Sequence, residues 1–121
     1  MSKKVKISKS IAYAFSGIKE ALTDEPNFKI HVLIGVLVSI LAFYLNFSRQ
    51  DWLILIFTIF FVLILELINT AIEEIVNLVS PEISQSAKIV KDVSAAAVLL
   101  GSILAVIVGA FLFIPKLLSL L

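Results

Sequence analysis

The chain has 121 residues, room for one domain, and is 60% hydrophobic with only 16% charged residues, where soluble domains are roughly 45–50% apolar. A net charge of +1 gives no footing for nucleic-acid binding. The absence of cysteine excludes disulfides and thiolate metal sites.

The first ten residues, MSKKVKISKS, are basic but lead into no apolar core with a cleavage site, so they do not read as a signal peptide. From there Ile7, Ile11, Ala14, Phe15, Ile18 and Leu22 recur at helical spacing, with Lys6, Lys9, Ser10, Tyr13 and Glu20 on the other side. This pattern predicts an amphipathic helix over about 6–24, lying on a membrane surface with its apolar face down. Asp24-Glu25-Pro26 should break it, because proline disfavours helix at the residue before it and fits a helix start.

Three apolar segments follow. The first ends near Phe47, the second starts at Trp52 and stays uncharged to Leu65, and the third runs from about Val93 to Ile114. A spanning helix needs about 20 mostly apolar residues. Spans over 28–47, 52–76 and 91–114 meet this, the second only if it continues through Glu66. The fold class is therefore an all-α membrane protein of three transmembrane helices plus the surface helix. A soluble bundle of helices apolar all round would have no polar face for water. Pro115 should end the third span. Lys3, Lys4, Lys6, Lys9, Lys19, Lys29, Lys88 and Lys91 share one side, against Arg49 and Lys116 on the other. That asymmetry puts the amino terminus and the second loop in the cytoplasm of a multi-pass inner (plasma) membrane protein. Tyr44 and Trp52 flank the short outer turn as interfacial aromatics.

Polar groups then converge in ELINTAIEEIVN, residues 66–77. At about 100° per residue, Glu66, Asn69, Thr70, Glu73 and Asn77 share one stripe and Glu74 points away. Lipid does not tolerate such a face, so it must meet protein or water. Glu66 lies fifteen residues past Asp51, roughly 22 Å into a core about 30 Å thick. Glu73 reaches the cytoplasmic interface, with Lys91 and Asp92 opening the third span at the same level and Glu25 at the mouth of the first. Two carboxylates a helical turn or two apart, near water, can bind Mg²⁺ and leave one free as a base, and a lysine can hold phosphate as a point charge. Those are parts that phosphoryl transfer needs. The same stripe would also suit a small ion or proton channel, or simple helix glue in a non-catalytic assembly subunit.

Other features read as structural. His31 is an interfacial or packing residue. No glycine sits in a GxxxxGK pattern, so any ATP is held without a Walker loop. Ala97, Gly101, Ala105 and Gly109 form a small-residue seam for close helix packing, within a subunit or between subunits.

ELINTAIE followed by AKIVKDVSAAAVLL resembles the prokaryotic diacylglycerol kinase family over nearly the whole chain, and EPNFKIH and LVSPE are closer to its undecaprenol kinase branch. The resemblance implies a homotrimer whose active sites, shared between subunits at the cytoplasmic interface, transfer the γ-phosphoryl group of MgATP to a membrane lipid alcohol. By motif position Glu66 would be the catalytic base and Asn69 would orient groups beside it. Glu25 and Glu73 would hold Mg²⁺. Lys91 and Asp92 would engage the polyphosphate, with Tyr13, Glu82 and Asn77 flanking the nucleotide. Asn77 stands where the family usually has aspartate, which leaves nucleotide preference open, and Val90 where it usually has alanine. Undecaprenol is the expected acceptor and diacylglycerol the alternative.

Overall fold

A computed structural model describes residues 6–121. Lys3 and Lys4, counted above for orientation, lie outside the described residues. The chain forms four helices, α1 (Ile7–Asp24), α2 (Pro26–Tyr44), α3 (Arg49–Val79) and α4 (Gln85–Leu118), with no strand among the described residues. The last three are long and apolar enough to cross a membrane, so this is an all-α membrane protein.

The helix boundaries follow local chemistry. Glu25 alone separates α1 from α2, in an extended conformation with φ −109° and ψ 101°, and Pro26 opens α2. The break expected at Asp24-Glu25-Pro26 is therefore present, since proline's ring keeps its predecessor out of the helical region. After α2 the chain reverses through Asn46, whose φ of 54° lies in the left-handed region that asparagine tolerates. Ser48 then starts α3 with a capping box. Its Oγ accepts from the Asp51 N–H at 3.1 Å, and the Asp51 carboxylate accepts from the Ser48 N–H at 3.3 Å.

α4 differs from expectation at both ends. It begins at Gln85, because Ser84 Oγ accepts from the Ala87 N–H at 3.1 Å and caps a polar first turn ahead of the apolar run. Pro115 does not end it, and the helix continues to Leu118. Proline removes one N–H and crowds one carbonyl, a disruption that the final turn of a 34-residue helix absorbs.

Length positions the site. At 1.5 Å per residue α3 is about 46 Å long and α4 about 51 Å, against a hydrocarbon core about 30 Å thick. Both helices are therefore longer than such a core, and the end of α3 and the start of α4 meet at one end of the bundle. Where α3 and α4 cross, Gly101 is buried, and a Cβ there would come within 2.5 Å of Leu65 Cδ1. Gly35 similarly brings α2 onto Ile59 of α3, where a Cβ would meet Cγ2 at 3.0 Å. In lipid such close approach matters because dispersion contacts and interhelical hydrogen bonds drive helix association. The seam on α4 is used unevenly, since Gly109 has nothing within 4 Å of where its Cβ would stand.

The far end of the bundle is closed by Ala42, Phe47, Leu55 and Leu112. Phe47 packs on Phe113 with ring centroids 4.8 Å apart, and Lys116 Nζ lies 3.7 Å from Asp51 Oδ2. Most other large apolar side chains along the spans, such as Leu37, Phe57, Leu100 and Phe111, are exposed in the single chain.

Candidate active site

Helix α3 carries the centre of the site at its middle. Glu66 is only 4% exposed, held between α2 and α3 with apolar neighbours such as Val62 on its own helix. Its Oε1 lies 2.9 Å from Nδ1 of His31 on α2. The distance is that of a hydrogen bond, but the angles are not, so neither buried atom has a directed partner. A buried carboxylate oxygen without a directed donor is costly, and such a group is a functional candidate.

One turn on, Asn69 is fixed from both sides. Ser94 Oγ on α4 donates to Asn69 Oδ1 at 2.6 Å, and Asn69 Nδ2 donates to Glu73 Oε1 at 3.1 Å. Ser94 is itself buried. The stripe read from periodicity is thus real in its middle. Glu66, Asn69, Thr70 and Glu73 are buried or half-buried and Glu74 is exposed. Thr70 spends its hydroxyl on the Glu66 carbonyl at 3.0 Å, a helix-internal bond.

Glu25, at the α1–α2 junction, faces this group. Its carboxyl is pushed above the usual carboxylate range, first by partial burial and then by the negative charges of Glu73, Glu66, Glu74 and Asp24. Negative charges that raise Glu25 in this way make a field that favours a cation. Among the described residues no three His, Asp or Glu side chains gather tightly enough to hold a metal by themselves. The set nevertheless fits Mg²⁺, which takes hard oxygen donors and is usually bound by one or two carboxylates together with phosphates and water.

Where α3 ends and α4 begins there is a cleft of about 230 Å³ lined by Asn77, Ser80, Glu82, Lys88, Lys91 and Asp92 among others. Lys91 Nζ donates to Asn77 Oδ1 at 2.7 Å across the two helices. Four of the five residues expected at the nucleotide therefore share one cleft. Tyr13 is not among them; it stands exposed on α1. The Lys91-Asp92 pair divides its partners, since Asp92 Oδ2 accepts from Lys88 Nζ at 2.6 Å, one turn back on its own helix. Sequence neighbours point about 100° apart on a helix, so they cannot face the same partner.

A second cavity, about 310 Å³, lies among α2, α3 and α4 within the spanning region. His31 stands on its wall with Val38, Leu55, Val62 and Phe113. Ser94 and His31 are the site neighbours that periodicity did not single out. Ser94 lies three residues past Lys91 on one face of α4, a usable spacing signal, whereas His31, six residues past Glu25, has none.

An apolar three-span bundle that buries a carboxylate and projects a lysine-bearing acidic cleft defines a small integral membrane protein with a polar site at one end. Its relatives sharpen this. A model of the prokaryotic diacylglycerol kinase family matches residues 12–113, and the chain belongs to that family, one of lipid kinases. It is 44% identical over 113 residues to a diacylglycerol kinase of Synechocystis, covering 93% of this chain and 65% of that protein. It is 37% identical over 109 residues to the undecaprenol kinase of Bacillus subtilis, covering 90% of this chain and 89% of that one. A diacylglycerol kinase of Escherichia coli is 30% identical over 107 residues, covering 88% of each chain. The relatives' names agree on a lipid kinase and divide on the lipid.

Proposed function

We propose that the chain transfers the γ-phosphoryl group of MgATP to the hydroxyl of a membrane lipid, with undecaprenol the preferred acceptor. One observation carries this reading. Glu66, buried in the spanning part of α3, and the Lys91 cleft, open beyond it, lie on the same packed pair of helices about 16 Å apart along α3. A lipid alcohol can reach the first from the bilayer, and ATP can reach the second from water.

In this mechanism Glu66 accepts the hydroxyl proton as the hydroxyl oxygen attacks the γ-phosphorus and the bond to the β-phosphate oxygen breaks, releasing ADP. Ser94 holds Asn69, and Asn69 holds Glu73, so the polar groups beside the base are pre-positioned. Lys91 meets the polyphosphate as a point charge, with Asn77, Glu82 and Asp92 around it. Glu25 and Glu73 would hold Mg²⁺, which when bound neutralises charge on the transferring group.

Around that site α1 lies on the membrane surface as part of a single kinase domain, and the amino terminus faces the cytoplasm of the cell membrane. The asymmetry of Lys6, Lys9, Lys19, Lys29, Lys88 and Lys91 against Arg49 and Lys116 supports this orientation. In a homotrimer Tyr13, exposed on α1 in the single chain, would serve a neighbour's cleft.

The Synechocystis relative, at 44% identity, favours diacylglycerol as a second acceptor. The purified protein, incubated with Mg²⁺ and γ-labelled ATP, is expected to label undecaprenol faster than diacylglycerol. The reverse order would replace the acceptor, and labelling of neither would overturn the kinase reading. Glu66→Gln is expected to leave a folded oligomer that has lost at least about a hundredfold in turnover, the lower range for a general base. Full turnover in that variant would remove Glu66 from its role.

A further inference from the structure

The contact between His31 and Glu66 is unassigned by the mechanism above. Nδ1 and Oε1 are 2.9 Å apart, with side-chain exposures of 24% and 6%. A bare nitrogen lone pair facing a carboxylate oxygen at that distance would set two acceptors against each other in an apolar setting. A hydrogen on Nδ1, the neutral tautomer with its proton on that nitrogen, removes the conflict without adding net charge. The two atoms stand at hydrogen-bonding distance with angles outside the hydrogen-bond range, so a change of side-chain angle is what would complete the bond. No other donor reaches Glu66 Oε1 among the described residues. The other nearby ionisable groups, Glu25 and Glu73, are acceptors when ionised and cannot replace the imidazole.

We propose that His31 is a positioning residue for Glu66. Its N–H holds Oε1 and so leaves the other carboxylate oxygen aimed where a lipid hydroxyl arrives. His31 also stands in the wall of the 310 Å³ cavity among the spans, so the same side chain joins the base to an apolar space within reach of a lipid. The proposal rests on Glu66 being the proton acceptor.

The test uses full-length protein with the acceptor that the wild type labels fastest. His31→Leu removes the donor while keeping an apolar volume, and is expected to lower kcat about 10–100-fold, the scale of a misplaced catalytic group, with the KM for ATP within about twofold. His31→Gln restores an N–H donor at similar reach and should recover most of the loss. Glu66→Asp withdraws the carboxylate by one methylene, so His31→Leu placed on Glu66→Asp should add little, because both changes break the same contact. Thermal melting of each purified variant reports folding. Should His31→Leu not fold, His31→Gln decides, and kcat below about a tenth of wild type in a folded His31→Gln protein overturns the proposal. Wild-type kcat in His31→Leu, a full additive loss on Glu66→Asp, or no recovery with glutamine overturns it equally. An active Glu66→Gln enzyme sinks the proton-acceptor reading and this inference together, whereas an inactive Glu66→Gln beside a wild-type-like His31→Leu sinks only the role of His31.

Discussion

Replacing Ser94 with alanine tests whether the site is pre-positioned across helices. The hydroxyl donates to Asn69 Oδ1 at 2.6 Å from a buried position, and Asn69 in turn donates to Glu73 Oε1 at 3.1 Å. Alanine leaves Asn69 Oδ1 without that donor, a loss of about 1–2 kcal/mol for an unsatisfied buried group. If that energy goes into disordering Asn69 and Glu73, kcat falls roughly 5–30-fold, and the Mg²⁺ concentration for half-maximal rate rises because Glu73 is less firmly held. The assay couples ADP release to a spectrophotometric readout across a Mg²⁺ titration, with thermal melting measured alongside. Unchanged kcat and unchanged Mg²⁺ half-saturation would refute the positioning chain. A drop in melting temperature alone would assign Ser94 to helix packing.

Two further outcomes are expected. Because burial and the neighbouring carboxylates raise Glu25, it stays neutral and a poor cation ligand to a higher pH than an ordinary glutamate, whose value is about 4.3. The Mg²⁺ half-saturation should therefore fall as pH rises through a range above that value and then level. Glu25→Gln should flatten the dependence, and a wild-type requirement indifferent to pH would count against Glu25 as a ligand. Asp51→Asn weakens the Ser48–Asp51 capping box and the contact to Lys116. It should cost about 1 kcal/mol, mostly through the cap, seen as a melting temperature lower by a few degrees. Its kcat should match wild type, since Asp51 is about 22 Å along α3 from Glu66; a large loss of activity would show that the two ends are coupled.

The spans and the carboxylate stripe were legible because each rests on one helix's own pattern. Apolar length signals a crossing, and a period of about 3.6 residues aligns Glu66, Asn69 and Glu73. The start of α4 was misplaced because hydropathy reports where a helix meets lipid, whereas Ser84 begins the helix where backbone donors first find a cap. Pro115 misled for a related reason, since a proline near a helix end costs little continuity. The partnerships of Ser94 with Asn69 and of His31 with Glu66 depend on how neighbouring helices are rotated and staggered. No single-segment period encodes that register. Tyr13 came from resemblance, and one chain alone leaves it exposed.

Because α3 runs without a break from Arg49 to Val79, the span from Glu66 to Asn77 is a stretch of fixed length. Inserting or deleting one residue inside it would turn one end about 100° against the other and shift it about 1.5 Å, taking Asn77 off Lys91 or Glu66 off His31. Working variants of this chain should therefore vary in length at the 45–48 and 80–84 connections and keep the number of residues between 66 and 77 constant.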